Sequence, residues 1–364
     1  MMKRTVFAVL LAYCMLLCGC DNWLDGNYAS VTPHTAQKVQ TSQGMVTVST
    51  VRESIAFLTD MTENGKEYAV FALNPSAAEE ILEELDVSIL YVTKNSPIAA
   101  FTVDKISYEV GSMAGVQAVG VTASYNANRL AVEGMRHAED SEMAIGLITE
   151  ALGKCEGRIV IQVKSYYYMD FEKHIREYVA QHPDAVMESP MVSIQFYPDT
   201  GSLRVMDVRF AYQNELESLR AMQNYVQPVF AAAEMNVRGE DADHAKFVRL
   251  YAFLMERNDY RMGISNTPAY SLLRHGVGDS VAFARVYAAM CQRAKLECYV
   301  VSGTRDGEAW TWNIIRDGER YYHIDLLRAD SQGGFQCCTD KEMQGYVWDY
   351  SAYPACTDTF PAAY

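Results

Sequence analysis

Residues 276–325 restrict the fold more than any other stretch of the sequence. The turn Gly276-Val277-Gly278-Asp279 delivers Ser280 to the start of an apolar helix predicted over 281–294. A strand over 298–301 follows, ended by Ser302-Gly303. A hairpin then runs from 310 to 315, turns at Asp317-Gly318 and returns over 321–325. A side chain at a helix N-terminus meets the positive end of the dipole and unpaired backbone N–H groups. A nucleophile is commonly activated there, and two facing strands can supply a base and the acid that orients it.

These four elements, in this order, resemble the core of the transglutaminase-like (papain-like) superfamily. Trp312-Asn313 matches the Trp-Asn of its His-Ala-Trp-Asn strand, and Tyr322-His323-Ile324-Asp325 matches its closing Trp/Tyr-x-x-Asp. The resemblance implies an α+β fold with a papain-type domain over 240–364. It also places Ser280 where the family has its cysteine and Trp310 where it has its histidine, and only Asp325 survives of the triad. Indole donates one N–H and accepts no proton, so Trp310 cannot act as the base. A serine hydroxyl needs a base in contact. The expectation is therefore a silent, degenerate site with no catalytic residues, no cofactor and no metal. Its domain would serve as a binding or interaction module. Trp310 would either plug the cleft or present a flat face to a peptide or sugar ring.

Three alternatives keep an enzyme in view. His323 lies two residues before Asp325, so both side chains could leave the strand on one face and serve Ser280 in a serine hydrolase. Gly278-Asp279-Ser280 also matches the nucleophile motif of a lipase-like hydrolase family, although Asp279-Ser280 reads better as a helix cap. Finally, Cys291 or Cys298 could supply the thiol of an active cysteine-protease or transglutaminase-type enzyme.

The N-terminus gives a second signal. Met1-Met2-Lys3-Arg4 is a basic start, residues 6–17 are apolar but short for a membrane span, and Leu17-Cys18-Gly19-Cys20 resembles a bacterial lipobox. Residues 1–19 are expected to be a signal peptide, Cys20 the lipidated residue and 20–45 a polar tether. The chain would then be a lipoprotein held on the extracytoplasmic face of a cell membrane. A cell-surface protein, peptide or glycan is the expected ligand. The net charge of −15 excludes nucleic acid, which needs clustered Lys and Arg. Six cysteines lie beyond Cys20 without a Cys-x-x-Cys spacing, so zinc is not expected. Cys337-Cys338 could bridge to Cys356, or these could be buried thiols.

Between tether and core, residues 46–212 read as an α+β region and 213–239 as a connecting helix. Two blocks of strand, helix and hairpin suggest a duplicated unit. In the first, 88–93 reads as a strand and 99–108 and 116–125 as a hairpin, and 136–152 then reads as a helix. In the second, 158–163 is a strand and 191–197 with 203–212 a hairpin. Tyr166-Tyr167-Tyr168 reads either as a sugar platform or as rings packed on a sheet edge.

Overall fold

In the computed structural model, which describes residues 45–239, 242–263 and 265–359, two sheets share one plan. β1 (Val46–Val48) leads into α1 (Val51–Glu63), whose first turn is capped when the Thr50 side chain accepts from the Glu53 N–H. β2 (Tyr68–Leu73) returns parallel to β1. Helices α2 (Ala78–Glu83), α3 (Leu85–Asn95) and α4 (Pro97–Thr102) precede the hairpin of β3 (Val103–Met113) and β4 (Val116–Tyr125). The strand order is β1-β2-β4-β3.

The second block repeats it. β5 (Arg136–Asp140), α5 (Ser141–Gly153), β6 (Arg158–Ser165), α6 (Phe171–Gln181), β7 (Met191–Tyr197) and β8 (Arg204–Ala211) give the order β5-β6-β8-β7. Here Asp140 caps the helix on the Met143 N–H. The likeness reaches single positions. Gly65 and Cys155 both take the left-handed conformation after their helices, at φ 64° and 50°. Leu58 and Ile148, Phe71 and Ile161, and Leu73 and Val163 are buried at matching places. Each unit covers a sheet face with its helices, the arrangement that lets amphipathic elements share one core.

The structure corrects three expectations in this region. Residues 88–93, rich in β-branched side chains, lie in α3. Residues 99–102 belong to α4, so the first hairpin begins at Val103. Residues 136–140 form β5, an edge strand paired parallel to β6, and the helix starts only at Ser141. The tyrosine run is split. Tyr166 packs on Phe196 and Phe171 under Arg204, whereas Tyr168 is exposed.

The rest of the described chain forms helices α7 (Leu216–Asn236), α8 (Asp243–Met255), α9 (Pro268–His275) and α10 (Ser280–Arg293) against a mixed-length antiparallel sheet. That sheet contains β11 (Cys298–Arg305), β12 (Glu308–Asp317), β13 (Arg320–Ile324) and β14 (Tyr346–Val347), ordered β13-β12-β11-β14. A short parallel pair, β9 (Asp259–Tyr260) and β10 (Val277–Gly278), brackets the turn before α10. Phe283, Val286, Tyr287 and Met290 of α10 are buried, and the same core takes Leu219 and Phe230 of α7. The opposite sheet face packs Trp312 and Ile314 against Tyr346, Trp348 and Cys356 from the tail.

β11 runs past the predicted end at Ser302-Gly303, because β14 pairs beside it. A Cβ at Gly303 would lie 2.2 Å from the Val347 carbonyl oxygen, so only glycine admits that neighbour. After Asp325 the chain turns into α11 (Leu326–Ser331). The stretch expected to be a signal peptide, Cys20 and nearly all of the expected tether lie outside the described residues. Among the described residues no helix is long and apolar enough to cross a membrane.

Candidate functional site

Two glycines and an aspartate fix the start of α10. Gly276 ends α9 in the left-handed conformation at φ 69°, closing the helix with a bond to the Leu272 carbonyl. A Cβ on Gly278 would stand 3.0 Å from both Ala282 Cβ and a Leu272 methyl. Asp279 is the N-cap, its Oδ1 accepting from the Ala282 N–H at 2.9 Å. Asp279 therefore works as a cap, and Ser280 is the first helical residue, buried beneath the sheet.

Ser280 Oγ accepts from the backbone N–H of Thr311 at 3.3 Å. Thr311 and Trp312 lie on β12, directly after Trp310. The Trp310 indole N–H donates to Asp325 Oδ2 at 2.9 Å. Tyr346 donates its hydroxyl to the same oxygen at 2.6 Å, and Arg305 approaches it at 3.4 Å. Asp325 Oδ1 meanwhile accepts from the N–H groups of Leu327 and Arg328, capping α11. Every lone-pair direction of this buried carboxylate is thus addressed by a donor. Burial and Asp325 together raise the Tyr346 phenol well above its ordinary value. The space bounded by Ser280, Thr311, Asn313 and Asp325 is too small for a water molecule. Trp310 itself stays half-buried, flanked by the Tyr260 ring at 5.7 Å and the Arg305 guanidinium at 5.2 Å.

The structure brings Ser280, Trp310 and Asp325 to one end of the sheet but does not bring His323 to Ser280. Side chains alternate along β12 and β13. Asn313 faces α10 and donates to the Ala284 carbonyl at 2.9 Å. His323 faces the other side, among Trp312, Tyr346 and Trp348. Its Nδ1 accepts from the Trp312 indole at 3.0 Å and its Nε2 meets Asp340 Oδ1 at 2.8 Å. The serine-hydrolase pairing is therefore corrected. His323 points to the sheet face opposite α10 and Ser280, whereas Asp325, at the end of the strand, borders the space beside Ser280 and turns into the α11 cap.

His323, Asp340 and Cys356 place one potential ligand atom each within 4.8 Å of one another. The tautomer opposes metal binding. The Trp312 N–H requires a lone pair on Nδ1, so Nε2 carries the proton and donates it to Asp340. A metal-bound imidazole normally donates from its outer nitrogen, the reverse of this arrangement. The Cys356 thiol is pushed up to about 12 by burial and then by Asp340. Cys291 is fully buried and pushed well above its ordinary value by burial, with Cys298 beside it. Cys337, Cys338 and Cys356 are thiols here, not a bridge.

Sequence reasoning missed Arg305, Tyr346 and Tyr260. Tyr346 comes from the last strand and Tyr260 from a two-residue strand, and neither lies near a motif in the sequence.

This constellation belongs to a transglutaminase-like domain in an α+β chain. Residues 231–349 match the model of the transglutaminase-like superfamily. Three solved structures are similar in part. A candidate cysteine protease from Cytophaga hutchinsonii is 12% identical over 38% of this chain and 62% of its own, with a TM-score of 0.26. A protein described as a TGase is 11% identical over 56% and 62%, with a TM-score of 0.28. A candidate protease from Parabacteroides distasonis is 7% identical over 57% and 45%, with a TM-score of 0.24. The chain thus spans less than two thirds of each of these proteins. No curated protein matches it.

Proposed function

We propose that the protein is a lipid-anchored, extracytoplasmic lipoprotein whose transglutaminase-like domain binds a ligand and does not catalyse. Ser280 and Trp310 stand in for the thiol and the imidazole of the family pattern, and Cys20 carries the anchor. One observation carries the reading: the indole N–H of Trp310 is spent on Asp325, and among the described residues Ser280 meets a backbone N–H and no base. An acyl-transfer site needs a group that takes a proton from its nucleophile, and an indole cannot. The closed space at Ser280 supports the same reading, since no substrate carbonyl fits beside the hydroxyl. Trp310, bracketed by Tyr260 and Arg305, offers a half-exposed aromatic face of the kind that peptides and sugars stack on.

The test is a fluorophosphonate serine probe applied to the mature protein beside a Ser280→Ala control. No labelling is expected in either. Labelling that disappears in the control would mean an activated serine and would end the silent-site reading. The anchor is tested separately by incorporation of labelled fatty acid, expected in the native chain and lost in Cys20→Ser.

A further inference from the structure

Arg285 takes no part in the site above. It lies on α10 and borders a cavity of about 340 Å³ between this helix, the start of α9 and the segment that follows α6. The guanidinium is half-buried, yet among the described residues it has neither an ion pair nor a hydrogen bond. Burial pulls it below the usual arginine range, and Asp279 opposes this only at longer range. Desolvating a cation without a partner is costly, and the cost falls when an anion enters.

The other charge on the cavity wall is already engaged. Glu188, buried, accepts from the Gln213 N–H at 2.5 Å and from the Asn214 N–H and side-chain amide at 3.1 and 2.7 Å. It therefore ties down the turn after β8 and leaves Arg285 to an incoming group. Val186, Met187, Val286 and Pro268 make much of the remaining wall apolar. A concave, mainly apolar cavity with one oriented charge is the usual form of a small-molecule site.

We infer that this cavity binds a carboxylate carried on an apolar body, with Arg285 gripping the carboxylate and the Val186, Met187 and Val286 wall covering the body. The guanidinium fork matches a carboxylate through two parallel hydrogen bonds. A phosphate dianion fits less well, because among the described residues lining the cavity Arg285 is the only cation, and the Glu188 carboxylate lines it too. The volume suits a body the size of one or two amino-acid residues. The site does not depend on whether Ser280 is silent.

Calorimetric titration of the full chain with N-acetylphenylalanine and N-acetylleucine, each beside its carboxamide, tests the inference. The acids should bind, and the amides should bind roughly tenfold more weakly or worse, the difference a charge-assisted pair makes. Arg285→Gln should bring the acids down to the amides, and Arg285→Lys should fall between. A far-UV melt of each variant separates lost binding from lost folding. Equal affinity for acid and amide in the native protein, or no binding of either acid, overturns the inference without recourse to a variant. So does a folded Arg285→Gln protein that binds the acids unchanged.

Discussion

Asp325→Ala should be among the most damaging single changes in the transglutaminase-like domain, although no reaction is ascribed to that carboxylate. The side chain is buried and accepts from Trp310, Tyr346, Leu327 and Arg328, with Arg305 alongside. Losing the cap of α11 costs about 1 kcal/mol. The Tyr346 hydroxyl and the Trp310 N–H would lose their acceptor, at about 1–3 kcal/mol each, with Trp310 near the low end because water can reach its ring. Arg305 is a third exposed and adds little. The total is about 3–5 kcal/mol, a large share of the roughly 5–15 kcal/mol that holds an ordinary domain together. Urea unfolding followed by tryptophan fluorescence and circular dichroism would measure it. Tyr346→Phe should hurt the native protein but partly rescue Asp325→Ala, because it removes the stranded hydroxyl. A loss below about 1 kcal/mol, or a Tyr346→Phe effect identical in both backgrounds, would refute the account of Asp325 as a structural hub.

Further outcomes follow from the same geometry. Ser280→Cys combined with Trp310→His should give a thiol that ionises at a lower pH than that of Ser280→Cys alone, followed by ultraviolet thiolate absorbance, since only the double variant has a base; identical titration curves would mean that residue 310 does not reach the nucleophile position. His323 is held below its ordinary value by burial, with Asp340 opposing, so the unfolded chain binds more protons below about pH 6.5 and stability should fall as pH falls from there. His323→Gln should flatten that slope, by at most about 1.4 kcal/mol per pH unit, in denaturant titrations between pH 7 and 5. Gly303→Ala should destabilise by about 1–3 kcal/mol through its collision with the Val347 carbonyl, and an unchanged unfolding midpoint would show that β14 moves away without cost.

Most of the transglutaminase-like core was legible because its elements are local. The apolar run of α10, the Asp317-Gly318 turn and the Asp279 cap each write their structure into a few adjacent residues. The repeated units were harder to read. Ser88-Ile89-Leu90-Tyr91-Val92-Thr93 has the composition of a strand, yet packing of Ser88 and Val92 against α1 makes it a helix. β5 owes its existence to the parallel partner β6, which no window of sequence around Arg136 contains. In both of these misreadings a contact distant in sequence overrode the local preference.

The site divides along the same line. Ser280, Trp310 and Asp325 could be placed by motif, but the meaning of Trp310 lies in what surrounds the carboxylate. A histidine at that position would offer Asp325 an N–H, and so does the indole of Trp310. Replacing one by the other removes the base while keeping the donor, so a buried acid that would otherwise be stranded stays satisfied. Tyr346 and the α11 cap then bind it into the framework of the tail. On the proposed silent-site reading, Asp325 serves the fold through these donors, and an acid in a triad position is poor evidence of a working triad until its donors are counted.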